Sequence, residues 1–143
     1  MSKKIVVFVL ATLILASVHL AEAQQAKKVP PIGYLGGSLL SGNAARIEAF
    51  RQGLRELNYV EGKNIVIDWR SAEGQGDRLP ALAAELVRRK VDVIVSSGGS
   101  PTRAAKAATS TIPIVLTNEG DPVGAGLVAS LARPGGNITG LST

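Results

Sequence analysis

Apolar positions along this chain change period repeatedly, and each change marks an element. Ile32-Gly-Tyr-Leu35 is a short apolar stretch stopped by Gly36-Gly37-Ser38, the pattern of a first strand. From Asn43 the period lengthens. Ile47, Phe50, Leu54 and Leu57 recur at helical spacing behind an Asn suited to an N-cap. Gly53 weakens that helix by about 1 kcal/mol relative to Ala, so close packing against a sheet is expected there. Asn58 ends the helix, since Asn tolerates the left-handed conformation after a C-cap. Strict alternation follows over 64–70, with Ile65, Ile67 and Trp69 on one face and Val66, Asp68 and Arg70 on the other. A charged face suits an edge strand. Trp69 shares its face with two isoleucines, which assigns it to the core rather than to stacking on a ligand.

The same alternation of periods continues. Asp77 is placed to cap a second helix with Pro80 in its first turn, and Leu79, Leu82, Ala83, Leu86 and Val87 form its apolar stripe. Arg88-Arg89-Lys90 fall in its last turn, where cations complement the helix dipole. Val91 to Val95 is a third strand. Ser100-Pro101, a cap followed by proline, starts a third helix that runs to about Ala108. Ile112 to Thr117 is a fourth strand, with Pro113 tolerated near its start. Asp121-Pro122 repeats the cap-plus-proline device for a fourth helix bearing Val123, Leu127 and Leu131. Arg133-Pro-Gly-Gly136 ends it, and Asn137 to Leu141 begins a fifth strand. Five strands alternating with four helices predict an α/β fold: an open, flavodoxin-like parallel sheet with helices on both faces.

The first residues follow another pattern. A basic start, Ser2-Lys3-Lys4, precedes an apolar or neutral run from Ile5 to Ala16 and an A-x-A signature at Ala21-Glu22-Ala23. Ser17 and His19 interrupt the run short of the ~20 apolar residues a membrane span needs. The expectation is a signal peptide over 1–23, cleaved after Ala23, then a polar leader over 24–31 and an α/β lobe over 32–143. Without cysteine there is no thiol for a lipid anchor and no disulfide. The expected location is periplasmic or extracellular, unlipidated, with about 120 residues left as one domain.

Composition narrows the chemistry. The formal charge of +5 is spread along the chain apart from the Arg88-Arg89-Lys90 trio. Aromatics are 3% of residues and none interleaves with that trio, so nucleic acid is not an expected partner. The single histidine, His19, lies in the leader. The remainder cannot build a Ser-His-Asp triad, a thiolate nucleophile or a His-rich metal site. Gly33-Tyr-Leu-Gly36-Gly37 is not GxGxxG, and no Gly-Lys-Ser/Thr follows a strand. No catalytic residue, metal or cofactor is assigned.

In open α/β sheets ligands bind at loops that follow the strands. Here these are the segments 36–43, 97–102 and 118–122, rich in Gly, Ser and Asn. The loop before the third helix is the candidate anion site. Ser97, Gly98 and Gly99 bare the backbone, and the helix start offers unpaired amides together with the hydroxyls of Ser100 and Thr102. Capping its own helix is the competing role for Ser100. Glu119 and Asp121 bring the opposite sign and could meet an ammonium group, with Asn118 beside them as a polar contact and helix capping the competing role for Asp121. Ser38, Ser41 and Asn43 supply polar contacts from the first loop. An amino acid or related zwitterion suits such a crevice.

Three phrases carry a resemblance: Leu57-Asn-Tyr-Val-Glu-Gly-Lys-Asn64, Leu79-Pro-Ala-Leu-Ala83, and Asp121-Pro-Val-Gly-Ala-Gly-Leu-Val-Ala-Ser-Leu-Ala-Arg-Pro-Gly-Gly-Asn137. Over most of Ile32 to Thr143 the chain resembles the substrate-binding proteins of ABC transporters, whose members include tryptophan and tyrosine binders. The resemblance implies a two-lobed binding protein that hands a small solute to a membrane permease. It also implies that this chain holds only the N-terminal lobe, as a fragment would, because relatives continue past Gly140-Leu-Ser-Thr143 into a second lobe. From other classes, an exported flavodoxin-like enzyme with a carboxylate acid-base group and a stand-alone exported interaction domain fit the same residues.

Overall fold

The computed structural model describes residues 29–142. The leader with its cleavage signature lies outside them. Element order is β1 (Pro31–Gly36), α1 (Ala44–Glu56), β2 (Val66–Ser71), α2 (Leu79–Arg88), β3 (Val93–Ser97), α3 (Gly99–Ala108), β4 (Ile114–Glu119) and β5 (Ile138–Ser142). All pairings are parallel, in the order β2-β1-β3-β4-β5. The chain steps from β1 outward to β2, then returns past β1 to β3 and continues the other way. Strand order therefore reverses between β1 and β3, and adjacent loops diverge there to leave a crevice.

Burial follows from this layering. β1 lies between two strands and two helical layers, so all its residues after Pro31 are buried. On one face Leu35, Ile94 and Ile114 meet Leu79, Ala83 and Leu86 of α2 and Ala105 of α3. On the other, Ile32, Tyr34, Ile65, Ile67 and Val95 pack with Phe50 and Leu54 of α1. The close approach of helix to sheet falls at Gly33, where a Cβ would lie 2.9 Å from both Leu86 methyl carbons. β2 is the edge strand its charged face predicts. Asp68 on that face receives Arg70 at 2.7 Å and also pairs with Arg89, which follows α2.

Several expectations need correction. No helix forms after Asp121-Pro122. The segment makes a single turn, with the Ala125 amide bonded to the Asp121 carbonyl and the Leu127 amide to that of Pro122. Gly126 then takes φ +68. Two glycines within three residues make helix propagation costly, and α3 removes the incentive. Arg103 donates to the Ala125 carbonyl at 3.3 Å, and Lys106 donates to that of Gly126 at 2.9 Å. Leu127 is buried, whereas Val123 and Leu131 are exposed. Gly53 is not a close-packing site, for nothing lies within 4 Å of a Cβ built there. Leu57 is 69% exposed, beyond the end of α1. Asp77 sits inside a 3-10 turn, Gly76–Arg78, and makes no capping bond. The third and fourth strands begin two residues later than their apolar runs. Asn58 does adopt φ +65 beyond α1.

Candidate functional site at the strand-order reversal

At the carboxyl ends of β1, β3 and β4 lies an open cleft of about 310 Å³. The end of β1 and its following loop contribute Gly36, Gly37 and Ser38, the 3-10 turn before α1 contributes Asn43, and α1 contributes Arg46. Ser97, Gly98, Gly99, Ser100 and Pro101 form the facing wall at the β3–α3 junction, and Asn118 closes the β4 side. The cleft straddles the reversal of strand order.

Its β3–α3 wall depends on one backbone conformation. Gly98 precedes α3 with φ +94, a region that disfavours side chains, so it is Gly98 and not Ser100 that occupies the N-cap. The helix then starts two residues earlier than its proline implies. Amides in a helix's first turn have no intrahelical acceptor, and the proline at 101 lacks a donor, which leaves those of Gly99 and Ser100 at the cleft. Thr102 points inward. It is fully buried, its Oγ1 2.7 Å from Ser96 Oγ and donating to the Gly98 carbonyl at 2.8 Å. Its hydroxyl holds the loop from beneath rather than lining the cleft.

The first loop is tied from outside. Ser71 Oγ donates to the Ser38 carbonyl at 2.6 Å, and the Gly74 amide to that of Gly37 at 2.8 Å. Asn43 makes no capping bond. Its Nδ2 donates to the Leu39 carbonyl at 3.3 Å, while its Oδ1 accepts from Arg46 at 3.4 Å. Ser41 is exposed in the 3-10 turn before α1, outside the cleft lining. Asn118 adopts φ +58. Glu119 and Asp121 also lie outside the lining. A Cβ on Gly99 would run into the Glu119 carboxylate, whose Cδ would stand 3.4 Å away. Asp121 Oδ1 accepts from the Gly124 amide at 2.7 Å, capping the single turn. Arg46 is the lining residue that the reading of loops overlooked. The signal for it was its place one helical turn beyond Asn43.

A second polar cluster stands over the edge strand. Trp69 Nε1 donates to Glu61 Oε1 and Arg51 Nε to Glu61 Oε2, each at 2.7 Å, and the Arg51 guanidinium lies 4.7 Å from the indole centroid. Burial works to raise the Glu61 pKa. It is outweighed by the two hydrogen bonds and the Arg51 charge, which together hold the pKa below the usual range. The indole lies 4.8 Å from the Tyr34 ring, in the aromatic part of the core. Among the described residues no group of three His, Cys, Asp or Glu could hold a metal, and no helix is long and apolar enough to cross a membrane.

The model of the ABC transporter substrate binding protein family matches residues 40–143. The chain belongs to that family. It is 39% identical over 95 residues to the tyrosine-binding protein of Clostridioides difficile (strain R20291), covering 66% of this chain and 28% of that protein. A solved conserved domain protein of Vibrio cholerae superposes with a TM-score of 0.76 at 36% identity, over 80% of this chain and 39% of the other. The ABC domain of a Streptococcus protein, solved in complex with L-Trp, superposes with a TM-score of 0.74 at 28% identity, over 79% and 38%. This family member thus spans well under half the length of the relatives it matches. Its five-stranded parallel sheet with flanking helices is the architecture of one lobe of such proteins.

Proposed function

We propose that this family member is an exported solute-binding component of an ABC import system, taking an amino acid or related small carboxylate at the cleft between β1, β3 and β4. The observation that carries the reading is the gathering of three strand-end loops at the strand-order reversal, within a family whose relatives include a tyrosine-binding protein and a domain solved with L-Trp. Ser38, Asn43, Ser97 and Asn118, with the amides of Gly99 and Ser100, are the proposed contacts from this lobe. Ser41, Glu119 and Asp121 would reach a ligand only after rearrangement. The cleft binds and releases, with no chemical step. Delivery to a membrane permease and export by the leader over 1–23 belong to the same reading.

One preparation tests both parts. The chain is expressed with its leader, recovered from outside the cytoplasm, weighed, and titrated with tryptophan and phenylalanine while backbone amides are followed by NMR. The expected mass begins at Gln24. Amide shifts should concentrate at 97–100, Ser38 and Asn118, at millimolar ligand because the cleft is open to water. A mass retaining Ile5 to Leu20 would remove export by cleavage. Shifts confined to other surfaces would remove the site.

A further inference from the structure

Arg46 breaks a local rule. It is the third residue of α1, whose first turn carries no acidic residue. The positive end of a helix dipole favours Asp and Glu there and disfavours a cation. Arg51, Arg55, Arg70, Arg78 and Arg89 each meet a carboxylate, whereas Arg88, Arg103 and Arg133 have no such ion pair among the described residues and do not line the cleft. Arg46 meets none among the described residues. Its hydrogen bond there is the 3.4 Å contact to Asn43, and it is exposed. A residue that violates local preference without structural compensation is a candidate for function. It lines the cleft, and no acid shares that lining.

We infer that Arg46 is the selectivity residue of this cleft and takes the carboxylate of the ligand. The guanidinium fork matches a carboxylate in two parallel bonds, which a lysine cannot reproduce. The cleft lining itself carries no carboxylate in return for an amine: Asp121 caps its own turn, and the Glu119 carboxylate lies against Gly99 without joining the lining. The class it recognises is therefore small carboxylates, with or without an α-amino group. The inference rests on the cleft being the binding site.

The test titrates the full chain, and its Arg46→Gln variant, with phenylalanine, 3-phenylpropionate and phenylalaninamide, reading amides 97–100 by NMR. The two acids should bind within about threefold of each other. The amide should bind at least about tenfold more weakly, as expected for losing a charge-assisted bond. Arg46→Gln should weaken both acids about tenfold, leave the amide unchanged, and melt at the same temperature or higher, because a misplaced cation has gone. Equal binding of phenylalanine and phenylalaninamide, or acid binding undiminished in Arg46→Gln, would overturn the assignment and leave the cleft standing. A lower melting temperature in the variant would give Arg46 a structural role and overturn it likewise. Silence at 97–100 with every probe would reject the cleft itself, and the inference with it.

Discussion

Single side chains in this lobe carry roles that their neighbours in space decide. Glu61 is the clearest electrostatic case. Its pKa is depressed in the folded state, so the ionised form is favoured by folding. Its contribution is present above the ordinary Glu pKa of about 4.3 and is lost as pH falls through the lowered value. Glu61→Gln keeps an acceptor for only one of Trp69 and Arg51, turns an amide donor toward the other, and cannot titrate. The stability difference between the parent and Glu61→Gln should be greatest near neutral pH and shrink below about pH 4. Urea unfolding at a series of pH values measures it, and a difference independent of pH would contradict the assignment. Because the Glu61 side chain remains 30% exposed, the effect should also weaken with salt.

A buried polar bond ties α3 to β3. Thr102 and Ser96 are both fully buried, with their hydroxyls 2.7 Å apart, and Thr102 also secures the Gly98 carbonyl. Thr102→Val preserves shape but leaves these groups short of a partner. The expected loss is about 1–3 kcal/mol, seen as a lower urea midpoint with an unchanged slope. A loss below about 0.5 kcal/mol, typical of a surface change, would show that the bond does not hold the β3–α3 junction. The segment after β4 teaches the converse. A cap and a proline were sufficient to start a turn, but Arg103 and Lys106 take carbonyls that a continuing helix would have used.

For the whole molecule, the decisive quantity is how much of a ligand one lobe can surround. The matched solved structures extend well past the superposed part, of which this chain covers 39% or less. A cleft open to water gains only about 0.5–1.5 kcal/mol per hydrogen bond. If relatives enclose their ligand with a second surface, three further bonds would be worth roughly 10- to 10³-fold in affinity. The isolated 143-residue chain should therefore bind tryptophan at least about tenfold more weakly than the longer relative solved with L-Trp. Calorimetry on both proteins under one buffer is the comparison. Equal affinities would mean that this lobe alone supplies the binding energy.

Local patterning was enough to read the class of fold, the five strands, the first three helices, the edge position of β2 and the loops that border the cleft. Periodicity reports which face of an element is buried, and that is a property of neighbours in sequence. The same logic failed where a contact from elsewhere overruled it. It placed Thr102 in the crevice, whereas the partner that draws the hydroxyl inward is Ser96 on the preceding strand. It continued a helix past Pro122 because it could not see Arg103 and Lys106 approaching the carbonyls. It offered Glu119 and Asp121 as candidates for an ammonium group, with capping the competing role for Asp121; neither lines the cleft, and Asp121 caps its own turn. It passed over Arg46, which lines the cleft that α1 borders. The order β2-β1-β3-β4-β5 brings β1 beside β3 and opens a crevice between their loops. Strand order depends on contacts between segments distant in sequence, which no local period records, so only the tertiary structure could decide where the cleft lies and which side chains share it.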